Sequence, residues 1–198
     1  MPGVSAVLTA AGESARMGQP KPLLSWRGVT LLEYQFSSLS AAGVSEIIVV
    51  LGHRAESVAR YVTDPSARYV VNEAYRQGRT TSIKTGLEQV DPSSESILLL
   101  GVDQPRTPEI ISKVLRAHAE QDSLITSPRY LGRGGHPLVF SSSLTEELCS
   151  ITEEGQGVRA VFQAHRDEVT EVEIDDPMVR LDLNTLDDYQ EAKAFYGA

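Results

Sequence analysis

The chain has 198 residues, is 41% apolar and carries a formal net charge of −9. That length is enough for one domain with a full core, and residues 1–198 are expected to form a single domain. The acidity argues against general nucleic-acid binding, which needs a basic face, and no apolar run approaches the length of a membrane helix.

Residues 4–10 read as an apolar strand, with no basic residue ahead of them to mark a signal peptide. A cytoplasmic protein is the expectation. The strand enters a small-residue turn, Ala10-Ala11-Gly12, and the chain then presents Arg16, Gly18 and Lys21. Residues 31–42 have helical spacing and stop at Gly43, a natural C′ residue. Residues 46–52 form a near-continuous apolar run, as expected of a strand covered on both faces. Next come a helix over 55–62, a short strand at 69–71, a helix over 80–90, a buried strand at 96–100 and a helix over 108–119. The alternation predicts an α/β fold: a three-layer, Rossmann-like, doubly wound and mostly parallel sheet. Ligands then bind beyond the C-terminal ends of the strands. The second half is less regular. It predicts strands at 124–126, 137–140, 169–174 and 179–183, a helix through Val161 and a closing helix over 187–195, with a mixed sheet.

The first loop carries chemistry. Glycine lets backbone N–H groups approach a phosphate closely, and Arg16 and Lys21 add positive charge. The loop therefore reads as a phosphate cradle for a nucleotide. It is not a Walker A loop, because Gln19 and Pro20 follow Gly18, and it is not the dinucleotide fingerprint. Glycine and two cations alone also describe an ordinary solvated turn. The joint spacing of strand, turn, Arg-Met-Gly and Lys-x-Leu-Leu favours the phosphate reading.

In so acidic a chain an anionic ligand needs a local basic cluster. The candidates are Arg16, Lys21, Arg76, Arg79, Lys84 and Arg133. Asp103 follows an apolar strand and suits Mg²⁺, which takes oxygen ligands and keeps several waters. An aspartate there is equally a cap or turn residue. The segment Gly78-Arg79-Thr80-Thr81-Ser82 opens a helix whose free N–H groups suit an anion, while Thr80 or Thr81 equally suits a cap. His136, between Gly135 and Pro137, either binds an anion when protonated or is structural. The lone Cys149 excludes an internal disulfide and a cysteine zinc site, and the four histidines lack metal-ligand spacing.

The run from Leu8 through Gly18 with Lys21-Pro22-Leu23 is similar to the signature of the nucleotidyltransferases that activate sugars and cofactors. It most resembles their molybdenum cofactor branch. Ala10-Ala11-Gly12 is closer to the cytidylyltransferases than to the guanylyltransferases, which usually show Ala-Gly-Gly. Thr9 and Pro22 depart from the pattern without harm to the turn. Gly101-Val102-Asp103-Gln104-Pro105 resembles the family's metal-bearing segment. Asp182 matches a second position expected to help hold the metal, although Asn184 and Thr185 also suit caps of the last helix. The segment Gly78–Ser82 resembles one lying against base and ribose, with Arg79 and Ser82 as contacts. Arg133-Gly134-Gly135-His136-Pro137 resembles a segment facing the second substrate, which puts Arg133, His136 and Asn184 towards an acceptor. Gly155-Gln156-Gly157-Val158-Arg159 resembles a weaker motif, with Glu154 one position from the expected acid.

The resemblance implies nucleotidyl transfer: an acceptor phosphate attacks the α-phosphate of a nucleoside triphosphate and pyrophosphate leaves. Ala10, Ala11, Gly12, Arg16, Gly18, Lys21, Gly78, Arg79, Ser82 and Asp103 are the implied nucleotide contacts. Arg16, Lys21 and Asp103 are the implied catalytic groups, and Asp103 with Asp182 the implied Mg²⁺ ligands. CTP is the favoured triphosphate and molybdopterin the favoured acceptor. A molybdoenzyme or its chaperone is the implied partner, with no nucleic acid or membrane involved. A phosphate nucleophile is already ionised, so no general base is needed. The rivals are a guanylyltransferase of the same pathway, a sugar- or alditol-phosphate nucleotidyltransferase, and a non-catalytic nucleotide-binding regulatory module. A glycosyltransferase would usually show Asp-x-Asp, and Asp103-Gln104-Pro105 lacks it.

Overall fold

Strand β1 (Val4–Ala10) is central because both of its faces are apolar. The computed structural model describes residues 3–197, with the side chain of Arg16 outside the described residues. A hairpin of β2 (Ser25–Trp26) and β3 (Val29–Thr30) leads into α1 (Leu31–Ala41), β4 (Glu46–Leu51), α2 (Ala55–Ala59) and β5 (Ala67–Val71). Then follow α3 (Arg79–Leu87), β6 (Ser96–Gly101), α4 (Pro108–Glu120) and β7 (Ile125–Tyr130). The chain ends with β8 (Arg133–Gly134), β9 (Leu138–Ser141), α5 (Thr145–Ser150), α6 (Val158–Ala164), β10 (Val169–Glu173) and α7 (Leu186–Tyr196).

The main sheet runs β10-β7-β9-β6-β1-β4-β5, with β8 paired to β7. Strands β6, β1, β4 and β5 are mutually parallel, as are β10 and β7. Strand β9 runs antiparallel to both of its neighbours, β6 and β7. The expected α/β architecture and mixed second half are therefore present.

Strand alternation sorts the apolar residues into two cores. Leu8, Val49 and Leu100 face α1 and α4, whereas Val7, Val50 and Leu99 face α3, α5 and α6. That makes three layers. Leu8 is fully buried, so truncation to alanine costs about 2–5 kcal/mol through lost transfer energy and a cavity. Gly86 of α3 has no room for a Cβ, which would collide with the Val7 side chain of β1. This close approach packs the C-terminal part of α3 directly on the middle of β1.

The expected strand over 179–183 is not one. Its alternating Val-Arg-Leu-Asp-Leu pattern mimics a strand, but residues Pro177–Arg180 form a single 3-10 turn capped by Asp176. The carbonyls of Val179 and Leu181 then bond to the Arg106 guanidinium instead of a neighbouring strand. Helix α5 and the β2–β3 hairpin are elements that periodicity did not predict.

Candidate functional site

Where β1 ends, Ala10 and Ala11 are buried and Gly12 is open, with free space where a Cβ would stand. Ser14 sits at φ 53°, in the left-handed region, and opens a 3-10 turn over Ala15–Met17. Its hydroxyl accepts the Lys21 N–H at 3.1 Å, which folds the loop back on itself. The Lys21 ammonium thereby reaches across the sheet edge to the Asp103 carboxylate, Nζ to Oδ2 2.7 Å, with both groups largely shielded. Asp103 stands at the end of β6, which is the parallel neighbour of β1. Two residues far apart in sequence meet because adjacent parallel strands end at one edge.

These residues line a cavity of about 370 Å³ together with Thr9, Gly78, Arg79, Ser82 and Asn184. The expected nucleotide contacts Ala10, Ala11, Gly12, Lys21, Gly78, Arg79, Ser82 and Asp103 are thus brought together. Gly18 is not among them. It turns the loop at φ 70° and faces a separate depression beside His53 and Arg54. The backbone of Arg16 lies in the 3-10 turn, and its side chain is outside the described residues. Asn184, expected on the acceptor side, lines this first cavity instead, because Leu183 N–H bonds to the Asp103 carbonyl at 2.8 Å. Arg76 pairs with Glu13 at 2.8 Å on the exposed rim, and that pairing holds the Glu13 carboxyl below its ordinary range. Lys84 lines neither this cavity nor the next.

The start of α3 is built by groups the sequence did not single out. Asn72 is buried, donates to Thr81 Oγ1 at 2.9 Å and Ser82 Oγ at 3.0 Å, and accepts the Ala74 N–H. Neither Thr80 nor Thr81 caps the helix. The Thr81 hydroxyl donates to the Gly78 carbonyl, and the Glu153 carboxylate accepts the Thr80 N–H at 2.6 Å. The expectation of wholly free N–H groups there is corrected: one is occupied by a carboxylate from a distant loop.

A second cavity of about 1040 Å³ opens beside the first and shares Thr9 and Arg79 with it. Arg129, Arg133, Arg159 and Arg180 line it, against a floor that includes Ile83, Leu138 and Phe162. Among the described residues, the side chains of Arg79, Arg133, Arg159 and Arg180 have no hydrogen bond or ion pair. Arg133 and His136 both line it, and Glu153 rather than Glu154 is the lining acid.

His136 is not the protonated anion binder that its loop suggested. Burial, then the charges of Arg106 and Arg79, push its pKa down to about 3, so the ring is neutral. Its Nδ1 accepts from the Gln104 amide at 3.1 Å. The same Gln104 nitrogen donates to Asp182 Oδ1 at 2.8 Å.

Beneath this sits Arg106, with no solvent exposure. Its guanidinium donates to four carbonyls, those of Pro105, His136, Val179 and Leu181, at 2.8–2.9 Å. Burial lowers its pKa to about 10, which leaves it charged at neutral pH, and Asp182 and Asp103 oppose that shift. Arg106 thus ties the His136 loop and the 177–183 segment to the end of β6. Nothing in the local pattern Pro105-Arg106-Thr107 signals such a role, since three of its four partners are 30 to 75 residues away.

Asp103 and Asp182 are oxygen donors of the kind a hard cation takes, and each keeps one carboxylate oxygen without a hydrogen bond among the described residues. Among the described residues no group of three or more His, Cys, Asp or Glu forms a metal cage. A magnesium-type ion does not require one, because phosphates and water complete its shell. Both carboxylates are of a chemistry that suits such an ion; Asp103 lines the first cavity, whereas Asp182 lines neither cavity and is tied to the site through Gln104.

The loop after β1, the adjacent Asp103 carboxylate and an arginine-lined second cavity thus meet at one edge of a mostly parallel sheet. Residues 6–169 match the MobA-like NTP transferase domain, and the chain belongs to that family. It is 29% identical to the molybdenum cofactor cytidylyltransferase of Escherichia coli over 99% of this chain and 98% of that one. It is 30% identical to the nicotine blue oxidoreductase of Paenarthrobacter nicotinovorans, over 94% of this chain and 95% of that one. Rv0371c of Mycobacterium tuberculosis superposes with a TM-score of 0.84 at 30% identity, covering 96% of both chains. A manganese complex of Rv0371c gives a TM-score of 0.79 at 29% identity, over 96% of this chain and 97% of that one. No helix among the described residues is long and apolar enough to cross a membrane.

Proposed function

We propose that this protein, acting as a single domain, transfers a nucleotidyl group to the terminal phosphate of a phosphorylated acceptor and releases pyrophosphate. CTP is the favoured donor and molybdopterin the favoured acceptor. The observation that carries the reading is the junction of the two cavities at Thr9 and Arg79. A phosphate loop and a carboxylate lie on one side of that junction and unpaired arginines on the other. The 29% identity to a cytidylyltransferase and the Ala10-Ala11-Gly12 turn support CTP.

In this reading the open backbone at Gly12, with Lys21 and Arg16, holds the charge of the departing pyrophosphate. Arg79, lining both cavities, screens the repulsion between the two phosphates as they approach. His136, held neutral, supplies a hydrogen-bond donor to the acceptor rather than a charge. A divalent ion on Asp103 and Asp182, Mg²⁺ being favoured, neutralises phosphate charge when bound. The acceptor phosphate is ionised at neutral pH, so catalysis is positioning plus charge stabilisation. A molybdoenzyme or its chaperone is the proposed recipient of the product.

A pyrophosphate-release screen tests this. Four nucleoside triphosphates, each with Mg²⁺ or Mn²⁺, are offered molybdopterin, a sugar phosphate and an alditol phosphate. Release with CTP and molybdopterin supports the reading. GTP or another acceptor in their place reassigns the substrates, and no release with any pair overturns it. The identity to nicotine blue oxidoreductase favours a second reading, redox turnover on the same scaffold. Conversion of nicotine blue without pyrophosphate release supports that reading.

A further inference from the structure

Gln104 is 4% exposed, and its side chain is fixed from three directions. Its Oε1 accepts the Gly101 N–H at 2.9 Å. An N–H can only donate, so this bond alone sets which end of the amide is oxygen. The amide nitrogen then carries two hydrogens, and both have partners: Asp182 Oδ1 at 2.8 Å and His136 Nδ1 at 3.1 Å. A second buried amide holds the surrounding backbone in turn. The buried Gln35 donates to the carbonyls of Gly101 and Gln104, at 3.2 and 2.8 Å.

Two consequences follow from donor arithmetic. First, His136 Nδ1 must be the acceptor, so the ring proton is on Nε2, and Nε2 has no partner among the described residues. His136 lines the arginine-rich cavity, and it presents a donor there. Second, one amide serves both half-sites. Rotating it to accept a proton from His136 would also turn an oxygen on the Asp182 carboxylate and break the Gly101 bond.

Resting on the nucleotidyl-transfer reading, we propose that Gln104 is a positioning residue that joins the two half-sites. It fixes His136 as an Nε2–H donor towards the acceptor and aims Asp182 at the metal side. An acceptor oxygen on His136 and a cation on Asp182 are then registered through one rigid amide. Outer partners of this kind typically alter metal affinity by about 10–100-fold when removed.

The test uses the full chain and two variants. Gln104→Met keeps the length and removes the donors. Gln104→Glu keeps the acceptor for Gly101 N–H but sets a carboxylate against Asp182 and His136. Imidazole nitrogen NMR at neutral pH reads the tautomer, and Mn²⁺ titration by water-proton relaxation reads the metal side. The wild type is expected to show one His136 species protonated on Nε2. Gln104→Met should show mixed tautomers and bind Mn²⁺ about tenfold more weakly. Gln104→Glu should place a proton on Nδ1 and weaken Mn²⁺ as much or more. In turnover, both variants should raise the acceptor KM and the half-saturating metal concentration while the triphosphate KM stays within about twofold. If Gln104→Met fails to fold, Gln104→Glu decides alone. A single Nε2–H tautomer and unchanged Mn²⁺ affinity in either folded variant overturn the proposal. Absence of pyrophosphate release by the wild type would defeat the transfer reading instead, and the tautomer measurement would still decide the role of Gln104.

Discussion

The two halves of the site are held by different means. On the nucleotide side, β1 and β6 end side by side, and the loop after β1 is shaped by its own backbone and by Ser14. Its parts are local, and their places follow from strand order. On the proposed acceptor side, the His136 loop and the 177–183 segment are held by scattered backbone bonds, Gly135 N–H to Pro128, His136 N–H to Val179 and Leu183 N–H to Asp103. Two side chains add to these, Arg106 with four carbonyl bonds and Gln104 with three contacts. A parallel sheet edge fixes the half proposed to handle the nucleotide, whereas a buried polar cluster helps fix the half proposed to face the acceptor. That division lets one half change substrate without disturbing the other.

The largest effect is expected for Asp103→Ala. Among the described residues its side chain bonds only to Lys21, so the fold should survive, while loss of charge stabilisation lowers kcat about 10³-fold. Near-normal turnover in a pyrophosphate assay would remove Asp103 from the chemistry.

Arg106→Met attacks the other half. It removes the guanidinium donor from four carbonyls, of which, among the described residues, only that of Val179 keeps another partner, the His136 N–H, and urea unfolding should show a loss of about 3 kcal/mol or more. Arg106→Lys should recover only part of this, because one ammonium cannot span the four positions. A loss below about 0.5 kcal/mol would mean that the acceptor side is held some other way.

Lys21→Ala is expected to raise the triphosphate KM about tenfold with the acceptor KM unchanged, equivalent to about 1.4 kcal/mol. Equal effects on both substrates would erase the distinction between halves.

His136 gives a pH signature of the buried cluster. Its folded pKa of about 3 lies below the ordinary value of 6.5. The unfolded chain therefore takes up a proton first as pH falls. The stability that the neutral ring contributes is complete above 6.5 and declines towards 3, by up to about 1.4 kcal/mol per pH unit. Urea unfolding at a series of pH values should show this slope, and His136→Gln should flatten it. An equal slope in both proteins would mean that other groups carry it.

The smallest effect is expected for the exposed Arg133. Replacement by alanine should raise the acceptor KM a few-fold, about 0.5–1 kcal/mol, and leave the triphosphate KM alone.

Much of the nucleotide half was legible in the sequence because its signals are local. The bounds of β1 were read from one apolar run, and Gly12, Lys21 and Asp103 from their places after strands. The acceptor half was not, because its organisers act over long separations. Arg106 looks like any basic residue before a helix, and its bonds are visible only once residues 136 and 179–181 are folded against it. The 177–183 segment alternates like a strand, yet Pro177 and the pull of Arg106 on its carbonyls settle it as a turn. Glu153 carries no motif, and its neighbour Glu154 was the nearer match to one.

The most direct test of the central claim follows the label from CTP carrying a marked α-phosphate. With a divalent cation and molybdopterin, the label should move into the acceptor, with one pyrophosphate released per label transferred. Release of orthophosphate in its place, or no transfer from any of the four nucleoside triphosphates, would contradict a site built to join two phosphates across Thr9 and Arg79.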